Sequence, residues 1–460
     1  MTSIHAKNRS DFEMNESIRT VIENARIWAG PGSEIESGTI AFEGSRFIDP
    51  AITRNDPTAH RKDGCNLLYM PGFVNAHGHL YSALARGMPA PPRQAGSFAQ
   101  ILEYIWWRLD KALDPESVLM SAYTGIMDSI RSGVTTIIDH HASPHAIDGS
   151  LSVIASALTD IGMRGDLCYE VSDRDGTAAA RAGIYENERY LDSLRKHPDP
   201  LLAGHFGLHA LFTISDVTLD ESVQVAEKLG VGFHVHVAEG PEDGEHSRTR
   251  HNMDLVSRMS KHGVLRPDTL LIHGVHLNPE DLAAISHHPV TLVHNPQSNQ
   301  NNAVGFCDIT SVHEAGINLA LGNDGIGGAI LPELRAAVFA GHHAARSPGK
   351  PSWALPFSML MNTNTSLASK AFGLPIGRIE PGYAADFISV DYTPPTPWTK
   401  DNTIGHFLFG LCERLRVLDV WVNGNQVLRD GRFIRIDEDR IAERSRAAAA
   451  MLWDKLSADH

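Results

Sequence analysis

The chain has 460 residues, of which 42% are apolar and 21% charged, with a formal net charge of −15. That composition excludes a disordered or collagen-like chain. No apolar run approaches the roughly 20 residues that span a bilayer, and so acidic a chain repels nucleic acid and anionic lipid. Four scattered cysteines (Cys65, Cys168, Cys307 and Cys412) lack CxxC spacing and read as reduced thiols of a cytoplasmic protein.

Residues 1–17 are polar, of mixed charge, and lack the pattern of a signal peptide; they are expected to form a mobile tail. Residues 18–67 and 377–436 share a texture of short strands and glycine turns, including an Asn-Gly turn signal. They are expected to pair into one small β-sandwich domain built from both chain ends. Between them, 68–376 alternates strand-like and helix-like segments. Eight apolar runs stand out, at 70–79, 133–141, 164–171, 201–210, 230–239, 268–277, 289–299 and 317–325. Helical patterns separate most of them, such as 117–133 and 215–230; Ser215 is placed to cap the second and Gly230 to close it. Eight strand–helix units predict a distorted (β/α)8 TIM barrel. The amphipathic stretch 437–460 is expected to pack on it as a C-terminal helix.

Polar residues collect at the C-terminal ends of the expected strands, the face where a (β/α)8 barrel carries its active site. The first strand ends His77-Gly-His79, and alternation puts both imidazoles on one side. The fifth carries His234, His236 and Glu239; either histidine satisfies the spacing for a third metal ligand. The sixth carries His273 and His276, and the eighth ends Asn323-Asp324-Gly325. Three histidines and an aspartate suit Zn2+, or Fe2+ or Mn2+, with an open position for water. His140 and His141 end the second strand and must point oppositely, so at most one faces a pocket. Trp106 or Trp107 could stack on a planar ligand, and Gln297, Ser298 and Asn299 could read ring edges. The remaining histidines, among them His145, His205 and His294, read as structural.

The stretches MPGFVNAHGHL, HVHVAE, LIHGVHL, HNPQSN and GNDG together resemble the amidohydrolase superfamily, in its deaminase and triazine-hydrolase branch. IIDHHASP and HNPQSNQNNAVG are most similar to the SsnA-type aminohydrolases. The resemblance implies that His77, His79, His236 and Asp324 hold one divalent metal ion, zinc first, with His236 selected over His234. It implies catalytic roles for Glu239, which protonates the leaving nitrogen, and for His273 and Asp324, which handle the proton of the attacking water. It implies substrate contacts for His209, with His141, Trp106, Gln297 and Asn299 as further candidates. Two-metal relatives carry a carboxylated lysine on the fourth strand; 201–215 has none, so one metal is expected.

The expected activity is metal-dependent hydrolysis of a C–N bond in a nitrogen heterocycle or amidine-like small molecule by metal-bound hydroxide, releasing ammonia or an amine. The alternative is a ring-opening amidohydrolase acting on a cyclic amide or imide. An inactive metal-binding scaffold would lack Glu239, His273 or Asp324, and all three are present. The partner is a small molecule, neither nucleic acid nor membrane, and the resemblance implies a homo-oligomer. Asn323, where many relatives carry threonine, and the HNPQSNQNNAVG loop depart from the purine and triazine enzymes.

Overall fold

The protein is described from a computed structural model covering residues 18–458 apart from Pro92. The expected tail at 1–17 lies outside the described residues. The eight apolar runs form the parallel strands of a (β/α)8 barrel. These are β1 (Phe73–Gly78), β2 (Val134–His141), β3 (Arg164–Tyr169), β4 (Phe206–Ala210), β5 (Phe233–Val237), β6 (Leu270–His273), β7 (Thr291–His294) and β8 (Asn318–Leu321). Nearly every residue in them is buried. Parallel strands covered on both faces have no solvent side, which is why they read as continuous apolar runs rather than alternations.

The ring is distorted. Strands β1–β3 with a short strand at Leu202–Gly204 form one arc, and β4–β8 form the other. Single parallel bridges, Gly78–Asp324 and Val171–Leu208, link the arcs. The fourth run breaks at His205, whose Nδ1 lies 2.8 Å from Asp166 Oδ1. Just beyond, Gly207 lets β4 approach β3, since an added Cβ would stand 2.2 Å from the Tyr169 carbonyl oxygen.

The helix expected over 215–230 is Asp216–Leu229. Ser215 Oγ accepts from the Thr218 amide at 3.3 Å, and Gly230 closes the helix at φ +63°. The helix expected over 117–133 starts earlier, as Pro115–Arg131, because Asp114 caps it and Pro115 takes the first position.

Strands from both chain ends pair into one nine-stranded sheet that forms the β-sandwich domain. Arg19–Trp28 lies parallel to Leu68–Pro71, which runs antiparallel to Phe387–Val390. The hairpin of Val417–Val422 and Asn425–Arg429 turns at Asn423-Gly424, both at positive φ as a type I′ turn requires. Ile22, Phe42, Phe47, Tyr69, Phe387 and Trp421 share one core, with Phe387 and Trp421 stacked 4.5 Å apart. The first apolar run, read as a single strand over 70–79, is therefore two. Leu68–Pro71 belongs to the sandwich and Phe73–Gly78 to the barrel. The chain passes between them at Gly72, where a Cβ would collide with Thr135 at 2.2 Å.

Beneath the barrel, the fully buried Arg164 of β3 donates to Asp386 at 2.6 Å and to Asn423 at 2.9 Å, tying the two domains. The C-terminal helix, Glu438–Ala458, packs on Pro115–Arg131 through Arg444–Glu116 (2.6 Å) and Arg131–Glu438 (2.7 Å). Its Ile441, Ala448 and Leu452 enter the main core.

Candidate active site and metal centre

Every strand end named from the sequence reaches the same mouth of the barrel. His77 ends β1 with His79 just beyond, His236 lies on β5, His273 closes β6, and Asp324 follows β8. Three residues here adopt the left-handed backbone that non-glycine residues avoid: Ala238 (φ +51°), His273 (φ +80°) and Asp324 (φ +58°). Such strain persists where the surrounding structure holds it, and it collects at functional sites.

The imidazoles are oriented from behind. His79 Nδ1 lies 2.5 Å from the His140 carbonyl oxygen, and His236 Nδ1 lies 2.9 Å from that of His209. A carbonyl only accepts, so each Nδ1 donates and each Nε2 is left to face the cluster. His77 Nδ1 meets His234 Nε2 at 2.8 Å, and His77 Nε2 has no hydrogen-bond partner among the described residues. That contact separates the two β5 histidines: both face the barrel axis, but His234 supports His77 from below while His236 joins the cluster. Donor atoms of His77, His79, His140 and His236 all lie within 4.8 Å of one another, as do those of His77, His273 and Asp324. Asp324 Oδ1 stands 3.0 Å from His79 Nε2 and 3.4 Å from His77 Nε2. Buried imidazole nitrogens without partners, converging with a carboxylate, fit a divalent metal ion.

Beside this cluster sit the proton-handling groups. Glu239 Oε2 is 3.3 Å from His273 Nε2, and Asp324 Oδ2 is 3.8 Å from the same nitrogen. Burial pushes the Glu239 carboxyl up to about 7. Burial also opposes the charge on Asp324, but the imidazoles of His77 and His79 outweigh it and hold that carboxyl well below the usual range.

The motif after β7 folds as a short helix, Pro296–Asn301, and its inner face serves these groups one by one. Ser298 donates to Asp324 Oδ2 at 2.5 Å, Asn299 Oδ1 meets His273 Nδ1 at 2.8 Å, and Asn302 donates to Glu239 Oε1 at 3.2 Å. The sequence reading gave Asn299 and Gln297 to the substrate, and the structure differs on both. Asn299 holds His273. Gln297 lies on the opposite helical face and opens on a separate surface groove with Gln300, Arg335 and Phe339; helical periodicity puts 298, 299 and 302 together and turns 297 away. His141, the other misplaced substrate candidate, points out of the barrel, its Nε2 2.9 Å from Ser143 Oγ and its ring between Tyr81 and Tyr169. Its neighbour His140 faces the axis, stacked on His234 at 4.3 Å.

A cavity of about 680 Å³, including its mouth, opens over the cluster. Trp106 and His209 line it, together with Phe98, Trp107, Phe212 and Glu170. Trp106 ends a π-helical turn, Leu102–Trp106, a form that recurs at functional sites. Glu170 was missed in the sequence, although it directly follows β3, at the level where the neighbouring strands carry their site residues. Arg174 also reaches the wall, paired with Asp110 and lying over the Trp107 ring; nothing in local sequence marks that pair.

Residues 68–427 match the profile described as the Amidohydrolase family. The chain belongs to that family. It is 28% identical over 441 residues to a 5-methylthioadenosine/S-adenosylhomocysteine deaminase of Pelotomaculum thermopropionicum, covering 93% of this chain and 96% of that one. A 5'-deoxyadenosine deaminase of Methanocaldococcus jannaschii is 26% identical, over 83% of this chain and 88% of its own. Among solved structures, a zinc-bound adenosine deaminase of Xanthomonas campestris superposes with a TM-score of 0.80 at 22% identity, covering 95% of this chain and 99% of its own. This amidohydrolase is an enzyme that hydrolyses carbon–nitrogen bonds. Among its described residues no helix is long and apolar enough to cross a membrane.

Proposed function

We propose that this amidohydrolase removes an amino group, as ammonia or an amine, from a nitrogen heterocycle, with one tightly held divalent ion per chain. His77, His79, His236 and Asp324 would hold the ion, zinc first among the candidates. Bound there, it would supply a Lewis acid and a water of lowered pKa. The protein's own groups supply the rest. Asn299 fixes the proton of His273 on Nδ1, so Nε2 faces the cluster as an acceptor. Asp324, kept ionised, takes up a proton beside it. Glu239, raised to about 7, holds a proton near neutral pH for the departing nitrogen, which leaves poorly unless protonated. Trp106, Trp107, Phe98 and Phe212 offer flat apolar walls to a ring, and His209 faces it.

The observation that carries the reading is that Glu239 and Asp324 both lie within 3.8 Å of His273 Nε2 at the edge of the imidazole cluster. The relatives' names direct the first substrate screen to 5'-modified adenosines, then other purines, pterins and triazines. Four free cysteines, one of them exposed, accord with a cytoplasmic enzyme, and a homo-oligomeric state belongs to the same proposal. The test is ammonia release across that panel. Stoichiometric ammonia that disappears in Glu239→Gln supports the proposal. A hydrolysed product that keeps all its nitrogen overturns it in favour of ring opening.

A further inference from the structure

A second constellation adjoins the first. Glu170, just past the end of β3, is 6% exposed, and its Oε1 has no hydrogen-bond partner among the described residues. Three imidazoles surround it. Oε1 is 3.4 Å from His140 Nδ1 and 3.6 Å from His79 Nδ1, and Oε2 is 3.8 Å from His209 Nε2. These separations are too long for N–H···O bonds, which run to about 3.2 Å. Those to His140 and His209 are near the spacing of about 3.4 Å between two donors in the tetrahedral shell of one divalent ion, whereas His79 Nδ1 is committed to the His140 carbonyl. His209 Nδ1 is held 2.8 Å from Thr213 Oγ1, which aims Nε2 at the carboxylate. Donor atoms of Glu170, His209 and His236 all lie within 4.8 Å of one another, and all three residues are buried. Burial makes the Glu170 carboxylate costly to ionise, and a cation beside its open Oε1 offsets that cost.

We infer that Glu170 and His209 form a second divalent-cation site at the edge of His236, filled by zinc or cobalt only when the metal is in excess. The inference rests on the reading of the first cluster as a metal centre. His236 has one nitrogen to give, because its Nδ1 is committed to the His209 carbonyl. With the first ion in place, the second keeps two protein donors and water, so it binds more weakly. Glu170 and His209 both line the substrate cavity, so a cation between them excludes substrate. Excess metal is then a competitive inhibitor.

The test is titration of metal-stripped protein with Co2+ and with Zn2+, read by calorimetry and by elemental analysis after dialysis at fixed free metal. Wild type takes up one tight and one weaker equivalent per chain; Glu170→Gln and His209→Asn each keep the first and lose the second. In turnover assays excess zinc raises the apparent KM of wild type without lowering kcat, and Glu170→Gln needs at least tenfold more zinc for the same effect. Saturation of wild type at one equivalent overturns the inference and leaves the proposed function standing. A second equivalent that survives both substitutions, or inhibition that lowers kcat alone, also overturns it. A wild type with no tight equivalent defeats the proposed function, and this inference with it.

Discussion

The two ends of the barrel both bury polar groups, and they treat them differently. At the N-terminal end, Arg164 is fully buried and every guanidinium nitrogen is hydrogen-bonded, with donors directed to Asp386, Asn423 and the Pro200 carbonyl. At the C-terminal end, His77 Nε2, His273 Nε2, both ring nitrogens of His140 and Glu170 Oε1 are buried without hydrogen-bond partners among the described residues. Buried polar groups normally close their hydrogen bonds, because each one left open costs about 1–3 kcal/mol. The closed cluster holds two domains together. The open cluster makes sense as a place where something else binds.

That contrast can be broken by substitution. His77→Ala removes a donor from the open cluster and should abolish metal retention and turnover while the protein remains folded; elemental analysis beside thermal melting reads both. Glu239→Gln should keep the metal and the melting temperature and lower kcat by about 10²–10⁴-fold. The closed cluster should answer the other way. Asp386→Ala leaves Arg164 buried and unpaired and should cost about 3–5 kcal/mol in denaturant unfolding. If that variant proves as stable as wild type, the closed cluster is not what ties the domains.

Smaller effects sharpen the picture within the open cluster. A carboxyl that must deliver a proton works only below its pKa. With burial holding Glu239 up to about 7, kcat/KM should fall as pH rises through that value, and Glu239→Gln should lose this limb. Asn299→Ala removes one hydrogen bond from His273 and should lower kcat by about tenfold, the scale of 1–1.5 kcal/mol, with metal content unchanged. Gln297→Ala, on the outward face of the same helix, should change kcat and KM by less than about twofold, as surface substitutions do.

How much of this was legible in the sequence follows from which interactions are local. Along a strand the period is two, so the inward pairing of His77 with His79 could be read directly. The same period made His234 and His236 indistinguishable, because both point inward; their depth, visible only once His77 sits on His234, separates them. It also showed that His140 and His141 diverge without showing which way. The eight buried strands were legible as apolar runs, but the break at Gly72 depends on Thr135, which is distant in sequence. The helix after β7 was read as a substrate loop because its partners, Asp324, His273 and Glu239, come from three different strands. Glu170 was within reach: it stands at a strand end like the other site residues, but lacks a repeating motif to mark it.

The most direct test of the central claim, that the open cluster is a metal centre, is the metal content of the purified protein by elemental mass spectrometry, with His77→Ala measured in parallel. A metal centre there should give close to one equivalent of zinc, iron or manganese per chain after dialysis against metal-free buffer, and a small fraction of that in the variant. A wild-type protein that is fully active with no more metal than the variant would contradict it.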